Sequence, residues 1–279
     1  MRLRKSLGQH LLVNRGVLKK IADSACSGDY GMILEIGPGT GNLTAELLRT
    51  GAHVTAVEID ENMIEQLNER FAGEPSFTLV RGDILEVPLA ELVPEPMWPA
   101  TVVGNLPYYI SSPIIFRLLD HREIFSSITV MVQEEVGRRM TAQPGSRDFG
   151  MLSVFCQVEA DCRMLFKVKR GSFKPPPEVD SAVVSIEPLP PGTGGIEDRE
   201  VLARVVRGMF EHRRKTCYNS MRISLEKGEC SGIINTGGDI GKTIETAFSD
   251  VGIDGNKRPE QLAVSDFISL ANHFSRRRY

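Results

Sequence analysis

Apolar and polar positions change period in a regular way along the first half of the chain. Residues 31–36, Gly-Met-Ile-Leu-Glu-Ile, form a short apolar run beside a glycine turn, which predicts a buried strand. Residues 43–49 predict a helix and residues 53–58 a second strand. In residues 61–71, Ile64, Leu67 and Phe71 lie three and four apart, the spacing of one helix face. Residues 77–80, 101–104 and 128–132 predict three more strands. Strands alternating with helices imply right-handed crossovers and a mostly parallel sheet. After a helix near residues 134–140 the pattern changes. Residues 152–158 and 182–186 predict strands with no helix between them, and so an antiparallel edge.

Residues 188–195, Pro-Leu-Pro-Pro-Gly-Thr-Gly-Gly, read as a linker. They separate an α/β domain, residues 1–187, from residues 196–279. Helical periodicity at 197–210 and 265–273 makes the second part a small all-helical domain.

The net charge of −3 is unevenly spread. Residues 1–20 carry six Lys/Arg and no acid, whereas residues 21–130 carry five basic and sixteen acidic residues. Residues 188–279 carry fourteen basic and twelve acidic residues. A basic head and a mildly basic tail around an acidic core fit a protein that meets phosphates with its ends. The five cysteines are scattered, with no Cys-x-x-Cys pair, which points to reduced thiols, a cytoplasmic setting and no structural zinc. No apolar run approaches the roughly 18 residues of a membrane span, and no apolar region follows the basic N-terminus as in a secretory signal.

Candidate chemistry lies at the strand ends. Glu35-Ile36-Gly37-Pro38-Gly39-Thr40-Gly41 joins the first strand to its helix, and glycines there let the backbone approach a ligand. Glu58 ends the second strand 21 residues after Gly37, placed to accept from ribose hydroxyls. Asp83, after the third strand, is placed to accept from an adenine amino group. The fourth strand runs into Asn105-Leu106-Pro107-Tyr108, which offers a side-chain amide, backbone carbonyls and an aromatic face. That set suits a flat base with an exocyclic amine. A dinucleotide oxidoreductase shares the glycine loop and the ribose acid but gives no task to residues 105–108.

These motifs, in this order, resemble those of S-adenosylmethionine-dependent amino-methyltransferases. Lys5-Ser6-Leu7-Gly8-Gln9-His10-Leu11-Leu12 resembles the N-terminal Gly-Gln-[Asn/His]-Phe-Leu motif of the rRNA adenine dimethylases. Phe173-Lys174-Pro175-Pro176-Pro177-Glu178-Val179-Asp180-Ser181-Ala182 resembles that family's Phe-x-Pro-x-Pro-x-Val-Asp-Ser-Ala motif. Phe210-Glu211-His212-Arg213-Arg214-Lys215-Thr216 resembles the Phe-x-x-Arg-Arg-Lys-Thr helix of its small-subunit branch. Leu11 stands where most members carry Phe, and Cys217 and Tyr218 where relatives usually carry an aliphatic and a basic residue.

The resemblance implies a Rossmann-like class I methyltransferase with a mostly parallel seven-stranded sheet and a helical C-terminal domain. It implies S-adenosyl-L-methionine as methyl donor, with no metal. Cofactor contacts would fall on His10, Leu12, Gly37, Gly39, Glu58, Ile59, Asp83, Ile84 and Asn105. The implied reaction dimethylates N6 of two adjacent adenines in a hairpin loop near the 3′ end of 16S rRNA, in the small subunit or its precursor. Asn105 and the Leu106 carbonyl would accept from the amine, Pro107 would shape the turn, and Tyr108 and Phe173 would sandwich a base drawn out of its stack. Arg4, Lys5, Arg213, Arg214 and Lys215 would meet RNA phosphates, while Arg276–Arg278 form a basic tail. The expected protein is monomeric and not membrane-bound. Two alternatives stand: a large-subunit adenine dimethylase of the macrolide-resistance type, and an assembly factor that acts mainly by binding immature subunits.

Overall fold

The computed structural model describes residues 10–26, 31–190, 192–212, 214–228, 230 and 239–277. Packing divides the chain into two units: residues 1–138 with 160–189, and residues 139–159 with 190–279.

The first unit begins with β1 (Leu11–Leu12), α1 (Arg15–Ala25), β2 (Met32–Ile36), α2 (Asn42–Leu48), β3 (His53–Glu58), α3 (Glu61–Arg70) and β4 (Phe77–Arg81). It continues through α4 (Leu89–Leu92), β5 (Ala100–Asn105), α5 (Ser111–Asp120), β6 (Phe125–Gln133) and the start of α6 (Glu134–Met140). After α7 (Met151–Glu159), which packs with the second unit, come β7 (Ala160–Val168), β8 (Phe173–Lys174) and β9 (Ser181–Pro188). The main sheet has seven strands in the order β4-β3-β2-β5-β6-β9-β7. The five central and left-hand strands run parallel, and β9 pairs antiparallel with both β6 and β7. β2 and β5 are wholly apolar or buried along their cores, as strands covered on both faces must be.

A second, two-stranded ribbon pairs β1 with β8, setting Leu11 opposite Lys174 and Leu12 opposite Phe173. The N–H groups of Val13 and Asn14 both donate to the Ser172 carbonyl, at 2.9 and 3.3 Å. The Asn14 side chain then caps α1 by accepting from Val17 N–H. The ribbon is fixed from below because Leu12 and Phe173 join the core formed with Leu18, Val103, Met131 and Val183.

One expected strand is a helix. Residues 152–158 lie in α7, because Val154 and Val158 pack into the core of the second unit and Phe155 packs against it. The seventh strand is instead β7, whose exposed Asp161, Arg163, Leu165 and Lys167 alternate with more covered residues. The unit border therefore falls at residues 139–159 as well as near the linker, rather than at the linker alone.

The second unit comprises α7, α8 (Arg199–Glu211), α9 (Cys217–Glu226), α10 (Ile240–Val251) and α11 (Val264–Arg276). These amphipathic helices enclose Val205, Met209, Phe210, Met221, Ile244, Phe248, Phe267 and Leu270. Cys217 lies in this core, and burial pushes its thiol up to about 12. Arg276 makes a bidentate contact with Glu197, and Arg277 meets Asp250 at 3.0 Å, so both are tied within the unit.

Candidate active site

Parallel strands end together at one edge of the sheet, and β2 and β5 are neighbours where the chain order reverses, the usual location of a ligand crevice. An open cleft with an empty volume of about 870 Å³ lies there, bordered by residues following β2, β3, β4 and β5.

The glycine loop forms its floor. Gly37 and Gly39 adopt φ of 65° and 56°, and Gly37 N–H donates to the Val57 carbonyl at 3.0 Å, tying the loop to β3. Gly41, with φ of 75°, opens α2 against Phe71, whose ring would stand 2.6 Å from an added Cβ. Arg70 steadies the loop by donating to the Thr40 carbonyl and to Asn42 Oδ1.

Glu58 is buried and well satisfied. Its Oε1 accepts from the N–H groups of Ile59 and Asp60, both at 2.9 Å, and its Oε2 accepts from Gly39 N–H at 3.2 Å. Burial pushes the carboxyl upward, and the three backbone N–H groups oppose that shift. One lone pair of Oε2 is left for a ligand hydroxyl. Asp83 follows β4, and its Oδ1 accepts from Leu85 N–H at 2.9 Å, which leaves Oδ2 for a donor in the cleft. Ile59 is 51% exposed and Ile84 also lines the cleft, together supplying apolar cover suited to a planar ring.

At the acceptor end, Asn105 Nδ2 donates to the His10 carbonyl at 3.0 Å. That bond fixes the amide and leaves Oδ1 as an acceptor bordering the cleft. Leu106 N–H donates to the Met131 carbonyl at 3.0 Å, which anchors the turn to β6. Pro107 bends the chain, and Tyr108 OH meets Ser181 Oγ at 2.7 Å. Burial raises the Tyr108 phenol, against a lowering by Ser181. His10 stacks on Tyr108 with centroids 5.8 Å apart, and its Nδ1 lies 3.1 Å from the Pro175 carbonyl.

Several expected positions fall differently. Leu12 turns into the core and its carbonyl accepts from Asn42 at 3.1 Å. It borders only a narrow pocket behind the glycine loop, whereas Leu11 lines the main cleft. Phe173 is 3% exposed within the core under the ribbon, so its ring offers no face to a base in this conformation. Besides Tyr108 and His10, the ring that lines the cleft is Tyr109, 58% exposed. Arg214 and Lys215 are exposed in the turn between α8 and α9 rather than on a helix, because Thr216 caps α9 immediately afterwards. Arg4, Lys5, Arg213 and Arg278 lie outside the described residues.

Sequence reasoning passed over Glu35, although an acid inside an apolar strand beside the glycine loop was the signal. Glu35 is 1% exposed, accepts from Thr44 Oγ1 at 2.6 Å, and borders the narrow pocket with Gly37 and Asn105. Burial pushes its carboxyl up to about 8. A cationic group entering that pocket would favour loss of that proton and find a carboxylate partner there. The donor set, two strand-end carboxylates with apolar cover, a glycine floor and a buried acid, thus fits a nucleoside that carries an ammonium-bearing tail.

Comparison with known proteins agrees with this geometry. The family model "Ribosomal RNA adenine dimethylase" matches residues 1–273. Ribosomal RNA small subunit methyltransferase A of Geobacter sulfurreducens is 41% identical, covering 97% of this chain and 94% of its own. The same-named protein of Pseudomonas syringae pv. tomato is 40% identical, covering 98% and 95%. Among solved structures, a dimethyladenosine transferase from Plasmodium falciparum superposes with a TM-score of 0.78 at 27% identity, covering 96% of this chain and 98% of its own. The 23S rRNA methyltransferase ErmE gives 0.66, also at 27% identity, covering 95% and 99%. The fold is that of a Rossmann-like class I methyltransferase, with the seven-stranded sheet and helical addition described above. A cleft that presents a fixed amide acceptor beside a nucleoside site, in a chain matched by the family model almost from end to end, makes this protein a member of the ribosomal RNA adenine dimethylase family.

Proposed function

We propose that this protein dimethylates N6 of two adjacent adenines in a hairpin loop near the 3′ end of 16S rRNA, in the small ribosomal subunit or its precursor, and so takes part in small-subunit biogenesis in the cytoplasm. The observation that carries the reading is the Asn105 amide, turned by the His10 carbonyl so that only its oxygen is left to accept from an amine. Its relatives' names supply the RNA: both bacterial relatives are small subunit methyltransferases.

S-adenosyl-L-methionine, when bound, supplies a sulfonium methyl that leaves S-adenosyl-L-homocysteine. Glu58 would hold the ribose, Asp83 the adenine amine, Ile59 and Ile84 the adenine faces, and Glu35 the ammonium. Asn105 Oδ1 and the Leu106 carbonyl accept from the target N6–H bonds, which draws the nitrogen lone pair out of conjugation and fixes its direction. The N6 proton is lost to solvent as the N–C bond forms. The acceptor-side residues that line the cleft, His10, Asn105, Leu106, Pro107, Tyr108 and Tyr109, include no carboxylate, so positioning rather than a tuned general base is the acceptor side's contribution. Tyr108 stacks on the extruded base, worth about 1–3 kcal/mol. Phe173 supports that site from the core rather than stacking. Arg214 and Lys215 contact phosphates, and the protein acts as a monomer.

The likeness to the 23S rRNA methyltransferase ErmE keeps large-subunit RNA as the second reading. Primer extension across both rRNAs in a strain lacking this protein discriminates them. Loss of dimethyladenosine from 16S rRNA alone is expected, and loss from 23S rRNA overturns the assignment.

A further inference from the structure

Two acid-free basic stretches that are far apart in sequence meet at the lip of the cleft. Residues 10–20 carry three Lys/Arg and no acid, and residues 162–177 carry five and no acid. The β1·β8 ribbon joins them, with Lys174 opposite Leu11 and the Ser172 carbonyl receiving Val13 and Asn14. The ribbon is part of the site's wall, since His10 and Leu11 line the cleft and His10 holds Asn105. α1 lies against the same surface, because Lys20 Nζ sits 4.0 Å from the centroid of the Phe166 ring in β7.

Some cations of these stretches are already engaged: Arg163 with Asp161, Lys167 with Glu134, and Lys169 with Asp180. Arg15, Lys19 and Lys174 are exposed and form no ion pair among the described residues. Arg170 is exposed as well. It is nonetheless engaged by acids: its charge helps lower the Asp180 carboxyl, to which its backbone N–H donates at 2.9 Å, and it lines a groove with Glu134, Glu178 and Asp180. Unpaired cations on one ridge repel each other and gain nothing from the fold, so a polyanion is the partner that suits them. The setting sharpens this, because residues 21–130 of the same unit carry sixteen acids against five bases. An anionic strand is therefore repelled across much of the unit and attracted at this ridge.

We propose that Arg15, Lys19 and Lys174 form a phosphate-binding ridge on the catalytic unit that holds the RNA strand flanking the target adenine. The ridge rests on the rRNA reading above and adds to it a positioning surface independent of Arg214 and Lys215. Held at the ribbon that also fixes Asn105, the flanking backbone enters the cleft beside the amide that receives the amine. The contacts are to phosphates, so they position the strand without reading its sequence.

The test compares wild-type protein with an Arg15→Gln/Lys174→Gln variant and an Arg15→Glu/Lys174→Glu variant. Each is measured for binding to undermethylated small subunits over a salt series, for S-adenosylmethionine binding, and for single-turnover methylation. The neutral pair is expected to lower the slope of log affinity against log salt by about 0.7–0.9 per cation removed, and the reversed pair to weaken binding further. Cofactor affinity should stay within twofold of wild type in both, which also shows that the variants fold. Variants whose slope equals that of a wild type that methylates 16S rRNA overturn the ridge and leave the family reading intact. A wild type that leaves 16S rRNA unmethylated overturns both.

Discussion

On the donor side of the cleft, Glu58 is held by N–H groups one and two residues onward and by the neighbouring glycine loop. On the acceptor side, Asn105 is held by His10, 95 residues distant, and Tyr108 by Ser181, 73 residues distant. The donor side is thus largely a property of consecutive strand ends. The acceptor side exists only once the N-terminal ribbon and the antiparallel β9 are in place. Changes to the ribbon should therefore cost methyl transfer before they cost cofactor binding.

Asn105→Ala should show the contrast most strongly. Removing the amine acceptor should slow single-turnover transfer by about 10²–10³-fold, the usual loss for one preorganised polar contact at a reacting group. Cofactor binding, measured by calorimetry, should fall by less than about tenfold. A parallel loss of both would erase the distinction between the two sides.

Glu35 probes the donor side through pH. Its folded-state value of about 8 lies above the ordinary carboxylate range, so the folded chain keeps a proton that the unfolded chain loses. Stability should then fall as pH rises from about 4.3 to about 8, by about 1.4 kcal/mol per pH unit at most, and level off above that window. Glu35→Gln should flatten this dependence in denaturant titrations at several pH values. An unaltered profile would show that Glu35 is ionised in the folded protein.

Gly41→Ala tests the loop. Its Cβ would meet the Phe71 ring at 2.6 Å, and the φ of 75° disfavours any side chain. A loss of about 1–3 kcal/mol in stability is expected by thermal unfolding, together with weaker cofactor binding. Tyr108→Phe should act on the acceptor side alone, slowing transfer by about fivefold through loss of a hydrogen bond worth about 1 kcal/mol. Arg214→Ala with Lys215→Ala should change least, lowering the salt slope of subunit binding by about 1.4–1.8 with the single-turnover rate unchanged at saturation.

The same contrast explains what was legible in the sequence. Gly37, Glu58 and Asp83 stand at successive strand ends, so alternation of apolar runs and helices was enough to bring them to one edge. Asn105–Tyr108 stood out by residue type, but the partners that orient it come from remote segments that periodicity does not connect. The short β1·β8 ribbon has too few residues to show a period, and it is what moves Phe173 into the core. The misassigned segment at 152–158 failed for a related reason. An apolar stretch of that length suits a strand or a buried helix, and its destination in the second unit's core decided between them. Glu35 was passed over because a lone acid in a strand has no period at all.

The central claim is that this cleft transfers methyl groups to adenine N6 through the amide of Asn105. Purified wild-type and Asn105→Ala proteins, given labelled S-adenosylmethionine and small subunits from a strain lacking the activity, test it directly when the methylated nucleosides are mapped. The account predicts two methyl groups on N6 of each of two adjacent adenines near the 3′ end of 16S rRNA with the wild type, and none with a variant that still binds the cofactor. Methylation elsewhere, or unimpaired dimethylation by Asn105→Ala, would contradict it.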